Sequence, residues 1–239
     1  MFDRKLPLWY QLGQILRSEI LGGQLEAGAR VPPEVELARR YGVSVVTVRQ
    51  ALRSLEEEAL ISRQRGRGTF VTPGPHRRKE LRLMGSAESV IAQQIAEETV
   101  VLEQSVIPVP PAVAGHFGGE REVHFFRRLR RDQGLPLNYA LNYVLPEYGS
   151  QIDVKLLGRY PMLQILRDVL GVKLSHVQIA IEAQRATQEV AQPLGIDVLS
   201  PVLLFTGVVV DARHRVVDVA QIYYRADRFA FTLDLDVSR

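Results

Sequence analysis

The chain has 239 residues, of which 46% are hydrophobic and 24% charged, with a net charge of +3 and no cysteine. That length suits two domains, each with its own core, and the lack of thiols excludes a disulfide framework, a thiolate metal site and a cysteine nucleophile. The charge is uneven: residues 1–80 hold 14 Lys+Arg against 9 Asp+Glu and the remainder 16 against 18, the pattern expected of a nucleic-acid-binding module joined to a near-neutral second domain.

The first residues, MFDRKLPLWYQLGQIL, carry acid and base early and lack the apolar core of a signal peptide. No run approaches the roughly 20 apolar residues needed to cross a bilayer, so a cytoplasmic location without membrane partners is expected. Tyr10, Leu12, Ile15, Leu16 and Ile20 repeat at helical spacing from Leu8, and Gly22-Gly23 ends that helix. From Pro33 to Val71 the pattern predicts a helix, a tight turn at Tyr41-Gly42-Val43, a second helix opened by Ser44, and a two-stranded wing. Glycine takes the left-handed turn conformation at low cost, and a serine hydroxyl at this position caps the amide of Thr47.

On the second helix Val48, Ala51, Leu52 and Leu55 fall on one side, and Val46, Arg49, Gln50 and Arg53 on the other. Such a helix fits the major groove, with its first residues meeting base edges and phosphates. The strands Ile61–Gln64 and Gly68–Val71 flank Arg65-Gly66-Arg67, a cationic hairpin tip suited to the minor groove. Ser44, Val45, Val46, Thr47, Arg49, Gln50 and Arg53 on the helix, with Arg65, Gly66, Arg67 and Gly68 in the wing, are the expected DNA contacts. Arg49 is the main candidate.

Pro73-Gly74-Pro75 and the basic run His76 to Lys79 break regular structure, placing a linker at about residues 73–85 between a DNA-binding domain (1–72) and a second domain (86–239). Beyond it, Val123–Arg131 and Leu137–Leu145 form a hairpin around Asp132-Gln133-Gly134, Val202–Val210 and Val216–Tyr224 a second one, and Pro161–Leu170 and Ala186–Leu194 read as helices. The second domain is thus α+β with an antiparallel sheet. Arg128 and Arg130, two apart on a strand, share a face and can converge on one anion. The five histidines, His76, His116, His124, His176 and His214, have no metal-ligand spacing, and no nucleophile elbow, phosphate loop or dinucleotide fingerprint occurs. Neither an enzyme, a metal nor a cofactor is expected.

Several motifs, taken in order, resemble the HutC subfamily of GntR-type bacterial transcription regulators, in which a winged helix-turn-helix precedes a UTRA effector domain. In the first domain these are PLWYQL, Pro33-Glu34, Gly42-Val43-Ser44, Thr47-Val48-Arg49-Gln50-Ala51-Leu52 and Gly66-Arg67-Gly68-Thr69-Phe70-Val71. In the second they are Arg128-Leu129-Arg130, Gly134-Leu135-Pro136, Leu194-Gly195-Ile196 and Tyr224-Arg225-Ala226-Asp227-Arg228-Phe229. The resemblance implies a chorismate-lyase-like fold for the second domain. It also implies a homodimer on a two-fold-symmetric operator, released or repositioned by a small, anionic metabolite, with repression the usual sign. Arg128, Arg130, Asp218 and Tyr224 match positions that line the effector site.

Two departures stand out in the reader, where Val35 and Val45 occupy positions at which relatives commonly have arginine. An arginine–guanine pair contributes roughly 1–3 kcal/mol of discrimination, whereas valine offers apolar contact to a thymine methyl, so an operator richer in A·T than the family consensus is expected, the alternative being a weakened reader. In sugar-phosphate-sensing relatives a serine and a glutamate contact the ligand; here those positions are Pro161 and Ala140, which disfavours an amino-sugar phosphate. A lyase fused to a DNA-binding domain, testable by chorismate turnover, and a constitutive DNA binder whose second domain only dimerises are the competing readings.

Overall fold

The computed structural model describes residues 2–3, 5–72, 79–83, 98–132 and 134–233. The chain divides into two compact units, Met1–Arg77 and Arg78–Arg239.

The first unit contains α1 (Leu8–Leu21), α2 (Glu34–Tyr41), α3 (Val45–Glu57) and a hairpin of β1 (Ile61–Gln64) and β2 (Gly68–Val71). Leu12, Leu16 and Ile20 of α1, Leu37 of α2, and Val48, Ala51, Leu52 and Leu55 of α3 meet in one core, which Ile61 and Val71 extend to the base of the hairpin. Each buried large aliphatic side chain stabilises this unit by roughly 1.5–3 kcal/mol. Gly42 adopts φ 66° and closes α2 in the left-handed conformation, and Ser44 Oγ accepts from Thr47 N at 3.1 Å to open α3. Both hairpin strands begin and end where the sequence places them. Arg30 adds an isolated bridge to Phe70 on the outer side of β2.

The second unit is built on a six-stranded antiparallel sheet of order β4-β5-β6-β9-β8-β7. Its strands are β4 (Glu98–Pro108), β5 (Glu122–Asp132), β6 (Leu135–Val144), β7 (Leu174–Arg185), β8 (Pro201–Asp211) and β9 (Val216–Arg225). The two hairpins β5–β6 and β8–β9 meet at the sheet centre, where β6 pairs with β9. Short helical segments between the strands complete a core around Phe126, Leu157, Ile165, Leu166 and Leu194.

Four features differ from the sequence reading. Residues 79–83, read as linker, form β3 (Lys79–Leu83), which pairs in parallel with β10 (Phe229–Leu233). That stretch therefore belongs to the second unit, and the rest of the expected linker, residues 73–78 and 84–85, lies outside the described residues. The helix expected over 161–170 is a short α turn at Met162–Gln164 followed by a π turn at Ile165–Val169, in which Leu170 N bonds back to Ile165 O at 2.9 Å. The helix expected from Ala186 starts at Gln188, because Ala186 is instead tied to Ser200 O through its amide. Strands β4 and β7, the two edges of the sheet, were not anticipated.

Candidate DNA-reading surface and effector site

In the first unit, the exposed side of α3 and the hairpin tip carry the side chains assigned to DNA. Val46, Arg49, Gln50 and Arg53 are exposed, as are Arg65, Gly66 and Arg67, whereas Val45, Thr47 and Gly68 are half-buried. The cap is reinforced by a second contact, Ser44 Oγ to Thr47 Oγ1 at 2.9 Å, which fixes the first turn of α3. Arg49 does not project freely: its Nε donates to Glu34 Oε2 at 2.7 Å, linking the starts of α2 and α3. Val35, beside Glu34, and Val46 are 61% and 70% exposed, so the surface around Arg49 is apolar where an arginine-rich reader would be cationic.

Two basic residues were missed by the sequence reading. Arg63 on β1 pairs with Glu56 and donates to the carbonyl of Arg49 at 3.5 Å, bracing the hairpin against α3. Arg30 lies against Gly68, where an added Cβ would stand 2.9 Å from its Nε. The glycine next to the hairpin tip thus leaves room for the Arg30 side chain.

The second unit concentrates polarity inside the sheet. Directly opposed residues of paired strands share a face, and the register aligns Arg130 with Asn138 and Tyr224, Arg128 with Ala140 and Ile222, Asn142 with Ala220, and Val144 with Asp218. All four residues expected to touch effector therefore fall on one face of β5-β6-β9. Arg128, Arg130, Asn138, Asn142 and Asp218 are each no more than 4% exposed.

A relay connects three of them. Arg128 Nη2 donates to Asn142 Oδ1 at 2.8 Å, and Asn142 Nδ2 donates to both carboxylate oxygens of Asp218 at 3.1 and 3.0 Å. Arg128 Nη1 reaches the carbonyl of Tyr160 at 3.4 Å. Burial, together with the neighbouring Arg130, pulls the Arg128 guanidinium below its ordinary range. Burial pushes the Asp218 carboxyl up to about 7, against the opposing pull of the Asn142 hydrogen bonds and the Arg128 charge. Both ions are thus held in surroundings that oppose their charge. Among the described residues Arg128 Nε and Asn138 Oδ1 have no hydrogen-bond partner.

Ala140 sits directly opposite Arg128, and Pro161 follows the carbonyl that Arg128 contacts, so both departures from the sugar-phosphate pattern fall beside the central arginine. Tyr224 closes the other end, its ring 4.0 Å from Phe229 and 5.4 Å from Phe231 within an aromatic cluster that includes Phe205. Arg127, by contrast, is on the opposite face and pairs with Glu103 at 3.2 Å. Alternation thus divides the arginines of β5 between the two faces of the sheet, Arg128 and Arg130 buried on one and Arg127 ion-paired on the other, which it shares with the buried Leu129 and Tyr139. Asn138 and Asn142 went unassigned in the sequence reading. Their signal was present in their period-two spacing among the apolar and aromatic residues of β6.

Among the described residues no helix is long and apolar enough to cross a membrane, and no group of His, Asp and Glu side chains is arranged to hold a metal ion.

The family model for bacterial regulatory proteins of the gntR family matches residues 10–71, and that for the UTRA domain matches residues 92–230. The HTH-type transcriptional regulator Rv0792c of Mycobacterium tuberculosis is 28% identical over 236 residues, covering 96% of this chain and 86% of that one. The HTH-type transcriptional repressor NagR of Bacillus subtilis is 25% identical over 233 residues, covering 97% and 96%. Among solved structures, YydK from Bacillus subtilis superposes with a TM-score of 0.58 at 20% identity, covering 97% of this chain and all of that one, a likeness of fold. The reader surface of the first unit and the effector-binding domain of the second are those of a transcription regulator and not of an enzyme: the chain belongs to the GntR family of DNA-binding regulators, in the HutC branch that carries a UTRA domain.

Proposed function

We propose that this regulator is a cytoplasmic homodimeric repressor whose hold on its operator is relieved by a small anion carrying at least one hydrogen-bond donor. The observation that supports this reading is the buried Arg128–Asn142–Asp218 relay with Arg130 beside it. Arg128 stands beside the like-charged Arg130, and a carboxylate or phosphate of the effector would be held there through charge-assisted hydrogen bonds. Arg128 Nε is a donor without a partner among the described residues, and Asn138 Oδ1 an acceptor without one. An anion with a nearby hydroxyl or amine satisfies both. Tyr224 and its aromatic neighbours suit an apolar portion of the same molecule.

DNA contact is assigned to Ser44, Val45, Val46, Thr47, Arg49, Gln50 and Arg53 on α3 and to Arg65, Gly66, Arg67 and Gly68 in the wing. Two copies of this reader, registered on one DNA face, require an operator with matching half-sites, and effector binding acts by changing how well both register at once.

The test is a mobility shift of the purified chain on its own upstream DNA at fixed salt, with and without a panel of small carboxylates and phosphates. Fixed salt is essential because phosphate contacts make affinity steeply salt-dependent. Release by one anion is expected for the native chain, and Arg128→Ala should bind DNA normally but lose the response. A normal response in Arg128→Ala would overturn the site, and release only by uncharged ligands would overturn its anionic character.

A further inference from the structure

Among the described residues, the two most exposed large apolar side chains are Val46, at 70%, and Val35, at 61%. Both stand in the first turn of a helix, Val35 second in α2 and Val46 second in α3. Folding explains neither position. The core of the first unit is filled by Leu37 of α2 and by Val48, Ala51, Leu52 and Leu55 of α3. A β-branched residue also gives an exposed helix turn no benefit of propensity, because its rotamers are restricted against the neighbouring turn. Val45, by contrast, is half-buried and presents less of its side chain.

One ion pair links the two helix starts that carry these valines. Arg49 Nε donates to Glu34 Oε2 at 2.7 Å, joining α3 to the first residue of α2. Val46 lies three residues before Arg49 on α3, a spacing at which side chains are neighbours on the helix surface, and Val35 follows Glu34 on α2. The reading face therefore combines a cation with an apolar group from each helix. Base edges in the major groove carry hydrogen-bond donors and acceptors and a single apolar group, the C5-methyl of thymine. A valine side chain can bond neither a base edge nor a phosphate, so the methyl is the group it is able to recognise.

We infer that Val46 and Val35 each read a pyrimidine C5-methyl group in the major groove, beside the base pair that Arg49 meets. What they recognise is the methyl itself, which double-stranded DNA supplies in two forms, thymine and 5-methylcytosine. Binding is therefore sensitive to cytosine methylation at these two positions as well as to thymine. The inference rests on the assignment of α3 to the major groove and deepens it, since it names the chemistry that the apolar part of the surface selects. It also moves the apolar reading on α3 from Val45 to Val46.

The test uses the full-length chain and a DNA site that it enriches from a random-sequence pool, at fixed salt. Each thymine of that site is replaced in turn by deoxyuridine, which keeps the pairing edge and the O4 acceptor and removes only the methyl. Affinity is expected to fall about fourfold at each of two positions in a half-site, the effect of returning one methylene-sized apolar group to water. Exchanging either of those T·A pairs for C·G should weaken binding, and methylating the new cytosine at C5 should recover about fourfold. Val46→Ala should abolish the deoxyuridine effect at one position and Val35→Ala at the other, with an unchanged melting temperature showing that the fold is intact. A site without a deoxyuridine-sensitive thymine, or an effect that survives in both alanine variants, would overturn the inference and leave α3 standing as the reader. A deoxyuridine effect with no gain from 5-methylcytosine would also overturn it, because the methyl alone would not be what is read. A chain that enriches no sequence from the pool would overturn both the inference and the reader assignment beneath it.

Discussion

Replacing Asn142 by leucine tests whether the buried relay is as consequential as its geometry implies. Leucine has nearly the same volume, so the change removes polarity with little effect on packing. Three contacts disappear: the 2.8 Å bond from Arg128 and the 3.1 and 3.0 Å bonds to Asp218. The two bonds to Asp218 share one donor group and count as a single charge-assisted interaction, so two such interactions are lost, each contributing about 1.5–3 kcal/mol when one partner is ionised. The carboxylate is left without its Asn142 donor inside the sheet, and the expected destabilisation is about 3–6 kcal/mol. For a unit of this size that lowers the melting temperature by roughly 10–20 °C. Thermal unfolding followed by circular dichroism, with urea unfolding as a check on cooperativity, reads this directly. DNA binding should persist below the transition, since α3 and the hairpin have their own core. If Asn142→Leu unfolds within about 1 kcal/mol of the native chain, near the uncertainty of such extrapolations, water or rearranged side chains satisfy Arg128 and Asp218 and the relay does not organise the site.

Three further outcomes follow from the same geometry. Ser44→Ala removes the acceptor for Thr47 N and should destabilise the first unit by about 1 kcal/mol, measured as a lower melting temperature of residues 1–77 and a weaker mobility shift. Glu34→Gln frees Arg49 from its ion pair: binding to random-sequence DNA should tighten while discrimination falls, whereas Arg49→Ala should weaken operator binding by about 1–3 kcal/mol if Arg49 contacts a base, or reduce the salt slope by about one if it contacts phosphate. Unchanged binding in both variants would remove Arg49 from the reading surface. For Asp218 the folded-state carboxyl titrates at about 7 against 3.8 for the free group, so the folded chain holds a proton that the unfolded chain releases. The resulting stability is fully present below about pH 4, declines as pH rises to about 7 and is flat above. Asp218→Asn should remove this decline, and a variant whose stability retains the native slope between pH 4 and 7 would assign the titration to another group.

How much of this was readable in the sequence depended on whether the deciding interactions are local. The reader was legible almost residue by residue because a helix period, a capping serine, a turn glycine and a two-stranded wing each act within a few positions. Ser44, Gly42 and the buried row Val48, Ala51, Leu52 and Leu55 stand where those rules put them. The pairing of Arg49 with Glu34 was not legible, since it joins two helices whose spacing depends on the turn between them. In the second unit, β5, β6, β8 and β9 announce themselves as two hairpins with short turns, whereas the edges β4 and β7 lack a sequence-adjacent partner. Residues 79–83 were read as linker because the basic run before them suggested a connector. Their alternation, Lys79-Glu80-Leu81-Arg82-Leu83, becomes a strand only through a partner some 150 residues away in β10. Asn142 was missed because polar residues in a strand ordinarily mark its solvated face, and only its hydrogen bonds to Arg128 and Asp218 on the neighbouring strands show that it is buried in a polar cluster.

The two units use cations in opposite ways, and that difference fits their tasks. Arg49, Arg53, Arg65 and Arg67 are exposed, where a guanidinium is stable in water and exchanges solvent and counterions for phosphate oxygens at little structural cost. Arg128 and Arg130 are inside, where every ion carries a desolvation penalty that only well-placed partners offset. Burial pushes the Asp218 carboxyl up and the Arg128 guanidinium down, against the opposing pull of their partners. A fold optimised only for stability would fill this face with apolar side chains like those on the opposite side of the same strands, such as Leu129 and Tyr139. The residual strain is relieved by whatever brings a counter-charge into the cluster, so a ligand that does so stabilises the folded unit in proportion to its occupancy, by about 2.7 kcal/mol at a concentration one hundred times its dissociation constant. On the proposed reading an anionic effector would supply that counter-charge, and the desolvation that makes these buried ions costly is what its binding would relieve.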